Sequence, residues 1–289
     1  MKSDICRLCD SPTTALAKMR FDHFQLSRCE NCGFQQITPE PTSQKLSDLY
    51  GELYYQKAKY TDPKAIELEY KRRHRLMQRA KLADGTKLLE IGCGAGQFIA
   101  TNSTKYDWYG MDYSEAGIEQ ARNRLPELAP DRLSSIPIED YEPPFTEGFD
   151  GILCFDTIEH IFNPKPVFTR VATWLKPGGV MILSTPDIGS LMARTTGKRW
   201  PFMTPPEHLS FFTRDCMQQA LAQAGMNTIY DRSLGKFANL AFVIYKAGRV
   251  GMLPKSFATA AQKIGLGKLT VYIPTGDVMY IIARKPKEY

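Results

Sequence analysis

The chain is expected to fold as an α/β protein on a mainly parallel sheet, preceded by a small cysteine-rich unit. Two observations predict this. From Gly85 onward, short β-like apolar runs alternate with amphipathic stretches of helical length, the pattern of repeated βαβ units. Before that, the first 38 residues hold two Cys-x2-Cys pairs and too little apolar mass to close a core unaided. A composition of 43% apolar and 24% charged residues over 289 positions suits a packed globular protein and argues against disorder.

The N-terminal pairs are Cys6-x2-Cys9 and Cys29-x2-Cys32, with nineteen residues between them and Gly33 after the second. Each Cys-x2-Cys turn aims two thiolates at one point, and a hairpin between the turns brings both points together. This is the spacing of a tetrahedral zinc ribbon over residues 1–38. Four thiolates leave no open coordination position, so the zinc is expected to be structural. The other three cysteines are isolated, and MKSDICRLCD has no apolar signal core. Reduced thiols and no stretch approaching the roughly 18 apolar residues of a membrane span point to the cytoplasm.

Residues 39–84 read as a helical connection. The run PEPTSQKLSDLYGELYYQKAKY leads to one helix over 62–82, in which Asp62-Pro63 supplies the N-cap and first-turn proline. Ile66, Tyr70 and Leu76 mark its apolar side, and KRRHR at 71–75 gives a basic face. In the unit 85–289, strands are expected at 87–91, 108–112, 151–154, 180–184, 228–231 and 278–283. Helices are expected at 95–104, 116–124, 165–175 and 215–224.

The run LLEIGCGAGQF at 88–98 sets Glu90 and three alternate glycines, Gly92, Gly94 and Gly96, at the end of the first strand of that unit. Glycines let a ligand approach the backbone, while Glu90 suits an ammonium group better than a phosphate. About twenty residues on, YGMD ends the next strand with Asp112, placed to accept two ribose hydroxyls.

Together LLEIGCGAGQF, YGMDYS, FDGILCFDTIEHI and LKPGGVMILSTP resemble the class I methyltransferase family over about residues 85–232. The resemblance implies a Rossmann-like, seven-stranded, mostly parallel sheet with helices on both faces, and S-adenosylmethionine as cofactor. It implies Glu90 near the cofactor's amino group, its methionine end over Gly92, Gly94 and Gly96, and Asp112 on the ribose. Ile138 and Phe155 would pack beside it. Pro137 stands where the family usually places an acid for the adenine amino group, leaving Glu139 as a substitute candidate.

Asp156, Glu159 and His160 follow the strand ending in Phe155, where open α/β sheets bind ligands, and His208 lies downstream in PPEHLSFFT. This DxxEH with a later histidine is similar to the ExxEH of small-RNA 2′-O-methyltransferases, and the EH pair recurs in quinone O-methyltransferases. Asp156 departs from the first glutamate of that pattern. Two readings follow from these residues. Asp156, Glu159, His160 and His208 hold a second divalent cation, Mg²⁺ or Mn²⁺, which lowers the pKa of an acceptor hydroxyl, or His160 or His208 acts as a metal-free base. A structural role for the four residues stays open beside both.

The acceptor side carries less signal. Between Asp231 and Asp277 there is no acidic residue, but there are seven Lys and Arg among apolar neighbours, so the insertion at about 233–272 reads as a basic, apolar lid. Such a lid suits a phosphate-bearing acceptor or peripheral contact with an anionic membrane. The net charge of +6 permits anionic partners without demanding one. The overall layout also resembles bacterial methyltransferases of sugar and surface-polysaccharide biosynthesis. The related sugar C-methyltransferases carry a further C-terminal domain that is not expected here, so the expectation is O-methylation of a small-molecule or glycan-linked hydroxyl. The alternatives are an RNA methyltransferase gripping nucleic acid through the ribbon and basic helix, and a catalytically silent cofactor-binding module.

Overall fold

The computed structural model describes residues 4–42, 45, 62–240, 243–244 and 269–287. Two sheets organise them. The larger has seven strands: β4 (Lys87–Ile91), β5 (Asp107–Met111), β6 (Leu133–Ser134), β7 (Phe149–Phe155), β8 (Leu175–Pro186), β10 (Asn227–Asn239) and β11 (Thr270–Arg284). Their order is β10-β11-β8-β7-β4-β5-β6. The five strands from β8 to β6 run parallel, β11 runs antiparallel to its neighbour β8, and β10 runs antiparallel to β11. Around this sheet pack α1 (Pro63–Arg79), α2 (Glu115–Arg124), α3 (Pro164–Trp174), α4 (Leu191–Thr196) and α5 (Arg214–Gln223). Strand order reverses between β4 and β7, so the crevice beyond their carboxyl ends is where a ligand is expected.

The strands β7 and β8 are buried almost throughout, which is why they read as continuous apolar runs rather than alternating ones. Helix α1 is capped by Asp62, whose carboxylate accepts from the amides of Lys64 and Ala65, with Pro63 in the first turn. Helix α5 begins at Thr213, whose hydroxyl accepts from the Cys216 amide. One expected helix does not form: residues 95–104 hold only a 3-10 turn at Ile99–Thr101. Gly96 there has φ of +68°, outside the right-handed helical region, and TNST at 101–104 favours turns over helix interior. Strand β8 starts earlier, and β10 and β11 run further, than apolar patterning indicated.

The smaller sheet is β1 (Thr13–Phe21), β2 (Phe24–Cys29), β3 (Gln35–Thr38) and β9 (Ser210–Phe211), antiparallel throughout. Its fourth strand comes from the far end of the sequence. Leu8, Phe34 and three of the four N-terminal cysteines belong to the same buried cluster as Phe168, Phe212 and Cys216. The basic, apolar insertion expected at 233–272 falls largely outside the described residues. Its described ends, 233–239 and 270–272, belong to the β10–β11 hairpin. Among the described residues no helix is long and apolar enough to cross a membrane.

The hairpin is bent by a bulge between Leu234 and Lys236. At Gly235 a β-carbon would stand 1.6 Å from the Ile273 carbonyl oxygen, a backbone atom that cannot move without breaking the ladder. Arg72 Nη1 of α1 also donates to Gly235 O at 2.7 Å. Gly235→Ala is expected to lower stability by about 1–3 kcal/mol, the usual cost of overpacking. Urea unfolding measures this, and an unchanged midpoint would show that the bulge yields freely.

Candidate active site

Glu90, the fourth residue of β4, is 3% exposed. Its Oε2 atom is buried with no hydrogen-bond partner among the described residues. Burial raises its pKa to about 7, against the lowering effect of Arg73 and with a further push from Asp112. A buried carboxylate with an unsatisfied oxygen is a receptor for a cation. The following loop turns tightly: Gly92, Gly94 and Gly96 all have positive φ, and the Gly92 and Cys93 amides donate to Met111 O at 2.8 and 3.0 Å. At Gly92 a β-carbon would lie 2.2 Å from Thr157 Oγ1, so this glycine lets the loop after β4 abut the turn after β7.

Asp112 stands at the end of β5. Its Oδ2 accepts from the Gly94 amide at 2.8 Å and its Oδ1 from the Ser114 amide at 2.9 Å, which locks the carboxylate against the glycine loop. Ile138 is buried beyond β6, and Glu139 beside it is exposed. Phe155 is buried, edge-on to Phe98 with 5.6 Å between ring centroids.

The residues after β7 separate into two groups. Asp156 has φ of +51° and carries ion pairs to Arg73 Nη2 at 3.0 Å and Lys236 Nζ at 3.2 Å, and Ser184 Oγ donates to it at 3.2 Å. Burial would raise its pKa, but Lys236 and Arg73 outweigh that and hold it at about 2. Glu159 instead accepts from Thr185 Oγ1 at 2.8 Å and joins His160 and His208, with ligand atoms of all three within 4.8 Å of one another. Ser184 and Thr185 are consecutive on β8 and point to opposite faces of the sheet, so they hold the two carboxylates apart. Asp156, expected with the other three, is therefore not brought into their group.

The two imidazoles cross at 82° with centroids 4.8 Å apart. His160 Nδ1 bonds to Glu207 O at 2.8 Å and His208 Nδ1 to Phe202 O at 2.7 Å. A carbonyl can only accept, so both Nδ1 atoms carry a proton, and in the neutral ring Nε2 is then the basic nitrogen. Burial, and then Asp156, raise the pKa of Glu159.

Arg73 and Lys236 went unrecognised as site residues from sequence. Arg73 lies with its guanidinium 4.6 Å from the Phe155 ring centroid, and against burial the charges of Asp156 and Glu90 raise its pKa. The expected basic face at 71–75 is largely consumed within the chain. Lys71 pairs with Glu67, Arg72 with Glu69 and Arg73 with Asp156, while His74 bonds Thr101 and Asn102. Lys71 and Arg75 alone of the five are exposed.

At the other end, the Sγ atoms of Cys6, Cys9, Cys29 and Cys32 lie within 4.8 Å of one another, with Cys6–Cys32 at 3.7 Å and Cys9–Cys29 at 3.5 Å. A zinc tetrahedron with bonds of about 2.3 Å has sulfur–sulfur edges of about 3.8 Å, so the set fits that ion. The Leu8 and Cys32 amides point at Cys6 and Cys29 sulfurs, stabilising thiolate. The hydrogen bond with Cys32 lowers the Cys6 pKa, and the same contact raises that of Cys32.

A mostly parallel sheet with a glycine loop, a buried acid and an aspartate at the end of the next strand, all at its switch point, is the architecture of an S-adenosylmethionine-dependent methyltransferase. Comparison with known proteins agrees: residues 64–230 match the methyltransferase-domain family, and the chain belongs to it. The ubiquinone biosynthesis O-methyltransferase of Dechloromonas aromatica is 29% identical over 147 residues, 48% of this chain and 61% of that one. Its counterpart in Thiobacillus denitrificans is 34% identical over 109 residues, 37% of this chain and 47% of that one. The chain thus aligns with only about half of these relatives' length. Among solved structures, the S-adenosylmethionine-dependent methyltransferase of Thermotoga maritima superposes with a TM-score of 0.53 at 18% identity, covering 82% of this chain and 97% of that one. The [4+2]-cyclase SpnF superposes at 0.51 and 17% identity, covering 76% and 81%, so the likeness is one of fold.

Proposed function

We propose that the protein transfers the methyl group of S-adenosylmethionine to a hydroxyl oxygen of a small or glycan-linked acceptor in the cytoplasm, and that its four N-terminal cysteines hold a structural zinc ion. The observation that carries the reading is the cluster of buried Glu159 and His208 with half-buried His160, set against the glycine loop through Thr157 and Gly92. The curated relatives named as O-methyltransferases support the hydroxyl as acceptor.

Glu90 receives the cofactor's ammonium and Arg73 its carboxylate, with the ribose on Asp112 and Ile138 and Phe155 beside the ring system. The acceptor oxygen attacks the methyl carbon in line, the carbon–sulfur bond breaks, and S-adenosylhomocysteine leaves. A histidine Nε2 of a neutral ring, its proton held on Nδ1, takes the hydroxyl proton. Alignment at about 3 Å supplies much of the acceleration.

One observation favours a divalent ion, Mg²⁺ or Mn²⁺, in the same place. Both imidazoles donate Nδ1–H to a backbone carbonyl and Glu159 is itself hydrogen-bonded, the outer support that metal ligands usually have. Such an ion would lower the acceptor hydroxyl's pKa. Two histidines and one carboxylate favour Mn²⁺ or Fe²⁺ over Mg²⁺. Asp156, ion-paired on the other face, would position Lys236 and Arg73 instead.

The test is transfer of isotopically labelled methyl to nucleotide-sugars, quinol precursors and RNA in parallel, with and without divalent ions. Labelling of a hydroxyl in one of the first two is expected. Labelling of RNA alone, falling steeply with salt, would overturn the reading in favour of a nucleic-acid substrate. Failure to bind S-adenosylmethionine at high micromolar concentration would overturn both enzyme readings.

A further inference from the structure

The ribbon and the histidine turn are tied into one piece of structure. Strand β3 pairs with β9 through Gln35–Phe211 and Gln36–Ser210, and the Ile37 amide donates to Leu209 O at 3.2 Å. Leu209 directly follows His208. Its own amide donates to Glu159 O at 2.8 Å, and Ser210 Oγ donates to Ile161 O at 2.7 Å. The peptide carrying His208 is thus held by the ribbon on one side and by the Glu159 turn on the other.

Arg7 lies inside the first Cys-x2-Cys, between two of the thiols. Its amide donates to Gln36 Oε1 at 2.9 Å, and its Nη2 reaches Ile37 O at 3.0 Å and Leu209 O at 3.4 Å. The guanidinium lies 3.5 Å from the centroid of Phe162, in the same turn region as Glu159. Its Nε and Nη1 are buried without hydrogen-bond partners among the described residues. Burying a cation with two unused donors is unfavourable, and an apolar side chain would seal the same interface better. Four thiolates around one zinc carry net negative charge, which offsets that burial.

Resting on the catalytic reading of Glu159 and His208, we propose that Arg7 is a positioning residue. It carries the metal-held geometry of the first Cys-x2-Cys turn to the Leu209 peptide and so sets where His208 stands against Glu159. The ribbon's zinc then acts on methyl transfer without touching substrate, and loss of zinc loosens the acceptor side before the cofactor side.

The experiment compares the full chain with Arg7→Met, which keeps the stem but loses the donors, and Arg7→Lys, which keeps one charged donor. Expected for Arg7→Met are wild-type zinc content, S-adenosylmethionine affinity within twofold, at least tenfold faster amide exchange at Leu209, and a kcat at least tenfold lower with the cofactor's KM little changed. Arg7→Lys should recover part of both losses. Zinc chelation of the wild-type chain should speed exchange at Leu209 in the same way, which decides the matter even if Arg7→Met fails to fold. Unchanged exchange at Leu209 in a zinc-loaded Arg7→Met chain would overturn the proposal. So would loss of cofactor binding in step with Leu209 protection, which marks the ribbon as a general stabiliser. If the wild type methylates no hydroxyl, the catalytic reading fails while the exchange arms still decide the coupling.

Discussion

Glu90→Gln is expected to weaken S-adenosylmethionine binding at least 100-fold while raising the melting temperature of the ligand-free chain. Glu90 titrates at about 7 in the folded protein against an ordinary 4.5, chiefly because burial opposes its charge. One pKa unit corresponds to about 1.4 kcal/mol, so the ionised form is disfavoured on folding by roughly 3 kcal/mol. The sign follows from linkage. An acid whose folded pKa is raised brings no penalty below about 4.5, an increasing one between 4.5 and 7, and the whole of it above 7. The gain from Glu90→Gln should therefore be a few degrees at pH 8 and vanish near pH 4.5. The ligand's ammonium compensates the buried charge, so the wild type recovers this stability on binding. Affinity should rise about tenfold per pH unit on approaching pH 7, as the carboxylate ionises. It should fall again above about 8, where an α-amino group loses its proton. Calorimetry and thermal melts across pH check both limbs. Binding by Glu90→Gln within threefold of wild type, with the acid limb intact, would refute the assignment.

His208→Ala and His160→Ala are each expected to lower turnover by 100-fold or more while leaving S-adenosylmethionine affinity within twofold. General base catalysis contributes about 10²–10⁴-fold, and the two rings stand 4.8 Å apart with Nδ1 anchored, so each variant removes a ring already held in place. Neither touches Glu90, Asp112 or the glycine loop, which is why the cofactor should bind normally. The double variant should fall little further than the worse single one, since the two histidines serve one proton or one ion. Steady-state rates with calorimetric cofactor affinities decide this. Independent, multiplying losses would mean two separate roles.

What could be read from sequence shared one physical character: it was local. Glu90, the glycines and Asp112 act within one strand-turn unit each, and the turn geometry that presents them is dictated by residues beside them in the chain. The four cysteines are likewise two local turns whose chemistry demands a common centre. Alternating strands and amphipathic helices gave away the parallel sheet for the same reason. The expected helix over 95–104 failed because apolar spacing outweighed the glycine and the TNST run in the reading, though not in the fold.

Tertiary structure alone decided how the acids after β7 divide. DxxEH looks like one ligand set, yet consecutive β8 residues, Ser184 and Thr185, draw Asp156 and Glu159 to opposite faces. The cations that claim Asp156 come from α1 and from the β10–β11 bulge, about eighty residues away on either side, and no local pattern records that meeting. Nor could sequence say that β9 would complete the ribbon's sheet, since a two-residue strand has no periodicity to read. The amino-acid sequence by itself pointed to the methyltransferase fold and its cofactor through short motifs that resemble a family, and to a four-cysteine cluster through two local turns, because each of these signals is contained in a few neighbouring residues. Packing between distant elements determined which side chains gather after β7, because that depends on which surfaces meet.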